Sequence, residues 1–165
     1  MILLNDILVA TDFSEPSNAA IAYGCELARS FGARLTVFHA AENIAALSYG
    51  SDGFVFIDPG MQHDLETAAH TQIDAMISGE NRDRLKPTSV VVTSNLAASA
   101  IVDYARQTGI DLIVIGTHGR GAVAHLLMGS VAERVVRTAP CPVLTVRHPE
   151  REFAVPDAPV AASRN

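Results

Sequence analysis

The sequence has no tryptophan, and aromatic residues make up only 5% of it. A surface that stacks nucleic-acid bases needs aromatic faces, so this scarcity argues against such a platform. Cations are also few. Twelve Lys and Arg stand against 18 Asp and Glu, the net charge is −6, and there is no basic run. Nucleic acids and anionic membranes are held by clustered cations, so neither is an expected partner. An anion can still be held locally by backbone N–H groups. There are two cysteines, Cys25 and Cys141, and no CxxC; reduced thiols in a cytoplasmic protein are the simplest reading. The histidines at 39, 63, 70, 118, 125 and 148 form no HExxH and no metal-cage spacing. No stretch approaches the roughly 20 apolar residues that span a bilayer. Met1 to Asp6 carries no basic segment, and Asp6 and Asp12 flank the short apolar run Ile7 to Ala10, so no signal peptide is expected.

What is present is enough apolar material for one core. The chain has 165 residues, 48% of them hydrophobic and 18% charged. One domain takes roughly 100–200 residues, and a chain of this size buries about 70% of its unfolded surface. Disorder is excluded by the same balance. Short apolar runs at Ile7–Ala10, Leu35–His39, Ser89–Thr93, Asp111–Gly116 and Val143–Arg147 read as buried strands. Between them lie helical periods. Ile21, Gly24, Cys25 and Ala28 share one face, with Ser14 as a candidate N-cap, Pro16 in the first turn and Gly32 as the stop. Gln62 to Ser78, Ala97 to Ala105 (stopped by Gly109) and Ser130 to Thr138 supply three more helices. Residues 42–61 read as a long loop, with Phe54 to Ile57 either covering a pocket or packing locally, and Gly79 to Pro87 as a charged turn.

Alternating β and α elements with near-continuous apolar strands predict a doubly wound five-stranded parallel α/β sheet with helices on both faces. Ligands in such sheets bind beyond the carboxyl ends of the strands, where strand order reverses. That directs attention to Thr11-Asp12, His39-Ala40-Ala41 and Gly116 to Gly119. Gly116 and Gly119 end the most apolar strand, so backbone can approach a ligand closely. Gly129-Ser130 opens a helix whose first N–H groups have no internal partner, a ready anion site. Ser130 and Glu133 also form S-x-x-E, a capping box that explains the serine without a ligand. The local chemistry leaves both readings open. A P-loop is absent, and Gly119-x-Gly121-x-x-Ala124 follows the wrong strand for a dinucleotide fingerprint. His39 reads as a structural hydrogen-bonding residue, Cys25 as a small core residue, and Asp12 as either a turn residue or an aid to a divalent ion.

From Ile7 to Val146 the chain resembles the universal stress protein family. The resemblance rests on Ile-Leu-Val-Ala-Thr-Asp-Phe-Ser at 7–14, Phe-His at 38–39, and Gly-Ser-Val-Ala-Glu at 129–133 followed by Ala-Pro-Cys-Pro-Val-Leu at 139–144. The ATP-binding members carry G-x2-G-x9-G-[ST]. Here Gly116, Gly119, the nine residues Arg120 to Met128, and Gly129-Ser130 match it throughout. The resemblance implies an adenine nucleotide alpha hydrolase-like fold with strand order 3-2-1-4-5. The domain is expected over 1–147, and the tail over 148–165, rich in Pro and Ala and without period, is expected to be flexible. By the same resemblance Ala10, Thr11 and Asp12 would meet adenosine, and the Ala40 backbone would read the adenine edge. Gly116, His118 and Gly119 would line the ribose and phosphates, with Arg120 near them, and Gly129, Ser130 and Val131 would donate to phosphates. The implied ligand is ATP with Mg²⁺ or Mn²⁺. The implied assembly is a homodimer paired through Val143, Leu144, Thr145 and Val146, and a regulatory protein partner would be unidentified. One departure stands out. Where the family usually has Gly-x-Pro before its third helix, this chain has Asn95-Leu-Ala97; asparagine tolerates the left-handed conformation, so the turn is expected to survive. A cytoplasmic sensor or adaptor is the expected role, against a slow ATP hydrolase or a structural dimer without ligand.

Overall fold

The computed structural model describes residues 2–44, 49–50, 53–54, 58–77, 79–118 and 128–147, with backbone alone at 49–50, 53–54 and 59. In chain order the elements are β1 Asp6–Ala10, α1 Glu15–Phe31, β2 Arg34–Ala41, β3 Tyr49–Gly50, β4 Gly53–Phe54, α2 Pro59–Met76, α3 Gly79–Leu85, β5 Thr88–Thr93, α4 Ala97–Thr108, β6 Leu112–Gly116, α5 Ser130–Thr138 and β7 Val143–Val146. β3 and β4 form only a two-residue antiparallel ribbon. The other five strands make one sheet in the order β5-β2-β1-β6-β7, parallel at every pairing. Counting those five strands alone, this is 3-2-1-4-5, as expected.

The parity of β1 and β6 shows why the strands are apolar throughout. Ile7 and Val9, with Leu112 and Val114, face a core built from Ala20, Ile21, Cys25 and Ala28 of α1 and Ile73 of α2. Leu8 and Ala10, with Ile113 and Ile115, face the opposite core of Ala98, Ile101, Val102 and Ala105 of α4 and Ala132 and Val135 of α5. Each fully buried aliphatic side chain of this kind contributes about 1.5–3 kcal/mol. Burial pushes the Cys25 thiol above its usual value, so it stays protonated in the core. Gly32 and Gly109 end α1 and α4 in the left-handed conformation, φ 65° and 70°, as their positions predict.

Several local expectations are corrected. α2 begins at Pro59, not at Gln62, because Asp58 accepts the Gly60 N–H and so caps an earlier start. Residues 79–85 form a short helix within the expected charged turn, with Arg84 bonded to Glu80 one turn back. Ser14 occupies the N-cap of α1, but its side chain makes no capping bond; its hydroxyl instead donates to Asp12 Oδ1 at 2.5 Å. Residues 148–165, read as a tail, and the parts of the 42–61 loop at 45–48, 51–52 and 55–57 lie outside the described residues.

At the amino ends of the strands, Asp111 Oδ2 accepts the N–H groups of Asn5 and Asp6 at 2.7 and 3.0 Å. Those bonds hold the Asp111 carboxyl below its ordinary value. The ionised form is the one that is stabilised. Its contribution is therefore complete above the unfolded value of about 3.9 and is lost as pH falls through the lower folded value. Asp111→Asn is expected to flatten the fall of the urea midpoint below about pH 4. Equal slopes for variant and parent would remove Asp111 from acid unfolding.

Candidate functional site

β1 lies between β2 and β6 in the sheet, while the chain leaves it toward β2 and reaches β6 only later. This is where strand order reverses, and the carboxyl ends of β1, β2 and β6 meet there. Ala10 and Thr11 are buried, and Asp12 is partly exposed at the rim. The turn after β1 is held by a chain of hydroxyls. Ser17 Oγ donates to the Ser14 carbonyl at 2.8 Å, so Thr11 Oγ1 donates to Ser17 Oγ at 3.0 Å and accepts the Phe13 N–H at 3.0 Å. Asp12 Oδ1 takes the Ser14 N–H at 3.2 Å as well as the Ser14 hydroxyl. These bonds hold Phe13 at φ +66°, a conformation that costs a non-glycine residue about 1–2 kcal/mol. The Phe13 ring lies 4.4 Å, centroid to centroid, from His39. His39 Nδ1 donates to the Thr11 carbonyl at 2.8 Å. That bond fixes the tautomer and bears out the structural reading of His39.

Ala40 is placed by register. The Phe38 carbonyl takes the Thr11 N–H at 2.9 Å, and the last β1–β2 pair is Ala10 with Phe38. Backbone groups of a strand in a parallel sheet alternate sides, so Ala40 turns its N–H and C=O to the same side as Phe38, past the end of β1. Neighbouring Ala41 faces β5, where its carbonyl accepts the Ser94 N–H at 2.8 Å.

Across the crevice, Gly116 is buried in the last position of β6. A Cβ there would lie 3.0 Å from the carbonyl carbon and oxygen of Pro16, so any side chain at this position would crowd the α1 backbone where it packs on β6. Thr117 extends the strand, with its N–H donating to the Val146 carbonyl at 2.8 Å. His118 follows, its Nδ1 3.1 Å from Thr117 Oγ1. The Gly129 N–H donates to the Thr117 carbonyl at 2.7 Å. That bond ties the start of α5 to the end of β6, although eleven residues, His118 to Met128, intervene. Gly119, Arg120 and His125 lie outside the described residues.

The capping-box reading of Ser130 and Glu133 does not hold. Gly129 is the N-cap, α5 has no side-chain cap, and Ser130 is already the first helical residue. Glu133 points along the helix instead, 3.7 Å from Arg137. The first intrahelical bond runs from the Glu133 N–H to the Gly129 carbonyl. Ser130, Val131 and Ala132 therefore precede the hydrogen-bonded ladder. Ser130 and Val131 are exposed. Gly129, with its N–H committed to Thr117, contributes conformation at this terminus. No group of three or more His, Cys, Asp or Glu among the described residues could hold a metal ion.

Sequence reasoning missed the polar residues that frame the β2–β5 end. Gln62 and Asn95 bond to the chain leaving β2, and Thr93 accepts from Gln62. Asn95 is not in the left-handed conformation; Phe13 and Lys86 alone among the described non-glycine residues have positive φ. Its side chain bonds instead to the Asn43 N–H at 2.8 Å, a contact across 52 residues that no local pattern signals.

The profile of the universal stress protein family matches residues 4–147. The Thermus aquaticus protein described as "Universal stress protein in QAH/OAS sulfhydrylase 3'region" is 36% identical over 146 residues, covering 88% of this chain and 100% of that protein. The structure of the universal stress protein UspA from Lactobacillus plantarum matches with a TM-score of 0.65 and 26% identity, over 89% of this chain and 100% of that one. Two further similar structures are nucleotide complexes. A universal stress protein in complex with cAMP has a TM-score of 0.57 and 24% identity, over 88% of this chain and 98% of that one. The universal stress protein from Archaeoglobus fulgidus in complex with dAMP has a TM-score of 0.52 and 21% identity, over 88% and 99%. With nearly the whole described fold matched by the family profile and by a 36% identical relative, this chain belongs to the universal stress protein family.

Proposed function

We propose that the protein is an ATP-binding module that acts as a cytoplasmic sensor or adaptor, its conformation or partner affinity responding to the bound nucleotide. The observation that carries this reading is the bond from the Gly129 N–H to the Thr117 carbonyl. It brings the uncapped N-terminus of α5 to the crevice at the carboxyl ends of β1 and β6. The positive end of the helix dipole and the N–H groups of Ser130 and Val131 then suit phosphate. Ala40 offers a backbone edge to adenine, and Ala10, Thr11 and Asp12 form the floor and rim under the nucleoside. Gly116 and His118 stand on the motif side, and in the sequence the motif continues through Gly119 and Arg120. The cAMP and dAMP complexes of the two structural relatives support an adenine nucleotide as the ligand class.

A divalent ion, Mg²⁺ or Mn²⁺, would neutralise phosphate charge. Asp12 is the carboxylate at the crevice, and its Oδ1 is already engaged by Ser14. The ion would therefore rest mainly on phosphate oxygens. Fast phosphoryl transfer needs a positioned nucleophile and dense positive charge. Backbone donors at a helix start hold ground-state phosphates about as well as the transition state, which does not speed the reaction. ATP is thus a ligand more than a substrate for the isolated protein. The same reading pairs β7, an uncharged sheet edge, with its copy in a two-fold homodimer.

Purified protein tests this directly. Denaturation should release ATP, light scattering should give a dimer, and phosphate release should stay far below the roughly 1–100 s⁻¹ of kinases. Sustained release above about 1 s⁻¹ would replace the sensor with an enzyme. Failure of the protein to bind added adenine nucleotide would remove the reading altogether.

A further inference from the structure

The segment leaving β2 is clamped from two sides. Gln62, on the first turns of α2, receives the Ile44 N–H on Oε1 at 3.1 Å. Its Nε2 donates to the Glu42 carbonyl at 3.2 Å and to Thr93 Oγ1 at 3.1 Å. Thr93 passes its own hydroxyl proton to Glu66, so it must accept from Gln62, and the amide has one consistent orientation. From the other side Asn95 Oδ1 accepts the Asn43 N–H at 2.8 Å. The Ser94 N–H donates to the Ala41 carbonyl at 2.8 Å. Four consecutive residues, Ala41 to Ile44, are thus held to α2 and to the β5–α4 turn. Ala40 immediately precedes them, with its backbone edge past the end of β1.

We infer that Gln62 and Asn95 are positioning residues for the base end of the nucleotide cleft: their clamp on Glu42, Asn43 and Ile44, continuing the Ser94 bond to Ala41, fixes the Ala40 backbone edge and so sets preference for adenine. The inference rests on the nucleotide reading above. Neither side chain is needed for the core. Gln62 lies partly exposed on α2, and Asn95 is exposed in a turn. The clamp is built from hydrogen bonds that are directional, and a backbone edge reads a base only when donor and acceptor are held to within the narrow range of distance and angle that such bonds require. The phosphate end, at the start of α5, is reached by neither residue.

Asn95→Ala, Gln62→Ala and Asn95→Asp are compared with the parent chain. The readouts are ATP and GTP affinity by calorimetry, and amide exchange at Asn43 and Ile44 by NMR. Losing the single Asn95 bond, or the three made by Gln62, is expected to weaken ATP binding by roughly 3- to 10-fold. It should narrow the preference of ATP over GTP, with a small fall in the urea midpoint because the lost bonds are also made in the free fold. Exchange should quicken at Asn43 for Asn95→Ala and at Ile44 for Gln62→Ala. Asn95→Asp keeps the acceptor for the Asn43 N–H and should restore both affinity and preference. A parent chain that binds ATP beside alanine variants with unchanged affinity and preference overturns the clamp alone. A parent chain that binds neither nucleotide overturns the nucleotide reading, and the clamp's role in recognition falls with it.

Discussion

Replacing Ser130 by proline is expected to weaken ATP binding by about 10- to 100-fold while leaving stability unchanged. Ser130 is the first residue of α5. At that position the N–H has no intrahelical acceptor, so proline removes no helical bond, and its fixed φ suits the first turn. The residue before a proline must be extended; Gly129, at φ −71° and ψ 154°, already is. The substitution therefore deletes two donors from the proposed phosphate site, the Ser130 N–H and its hydroxyl, and no bond of the helix. A hydrogen bond to a charged group contributes about 1.5–3 kcal/mol, which is the source of the expected fold-change. Calorimetry with ATP and a urea titration read the two halves. Unchanged affinity in the folded variant would place the phosphates away from the start of α5.

The largest expected effect on stability is at Gly24. A Cβ on this helical glycine would lie 2.2 Å from Val9 Cγ2, and Val9 is fully buried. Valine cannot swing away, because its branched side chain has few rotamers and the core around it is close-packed. Overpacking costs about 1–3 kcal/mol, and this contact is severe enough to sit at the upper end. Alanine recovers about 1 kcal/mol through helix propensity. Gly24→Ala should therefore destabilise by about 2 kcal/mol, or about 4–8 °C in Tm for a domain of this size. Val9→Ala removes the colliding methyl group. The double variant should then be more stable than the sum of the two single changes by at least about 1 kcal/mol. Strictly additive losses would show that the α1–β1 approach yields by another route.

The position of Gly24 was visible as one of four residues on a helical face, but the reason for a glycine there was not. The face follows from the helical period of Ile21, Gly24, Cys25 and Ala28; the need for no side chain follows from how closely α1 sits on Val9. Gly116 shows the same division. Its place at the end of a strand is plain from the apolar run before it. That the Pro16 backbone approaches it to 3.0 Å of a would-be Cβ depends on how α1 crosses β6.

Local chemistry was a poorer guide where two acceptors or donors compete. Ser130-x-x-Glu133 has the spacing of a capping box, yet Gly129 takes the N-cap because its N–H is drawn to the Thr117 carbonyl. Asn95 was read through its backbone tolerance, whereas its side chain is what the fold uses. Each outcome turns on a partner far away in the chain, at a distance that no periodicity encodes.

The sequence by itself determined the parallel α/β class, because strands buried on both faces must be apolar at every position and helices must alternate with them. It determined where α1 and α4 stop, because Gly32 and Gly109 take a conformation that other residues resist. It also marked the glycine spacing from Gly116 to Ser130. Only the tertiary structure decided that the start of α5 meets the end of β6 through one backbone bond, and that Phe13 is held at positive φ by hydroxyls of Thr11 and Ser17. It alone placed Gln62 and Asn95 on the same three residues, Glu42, Asn43 and Ile44. The physical reason is the reach of the interactions. Burial and backbone preference act on each residue where it stands in the chain, while hydrogen bonds such as those of Gly129 to Thr117, Gln62 to Ile44 and Asn95 to Asn43 exist only once the sheet has brought their ends together.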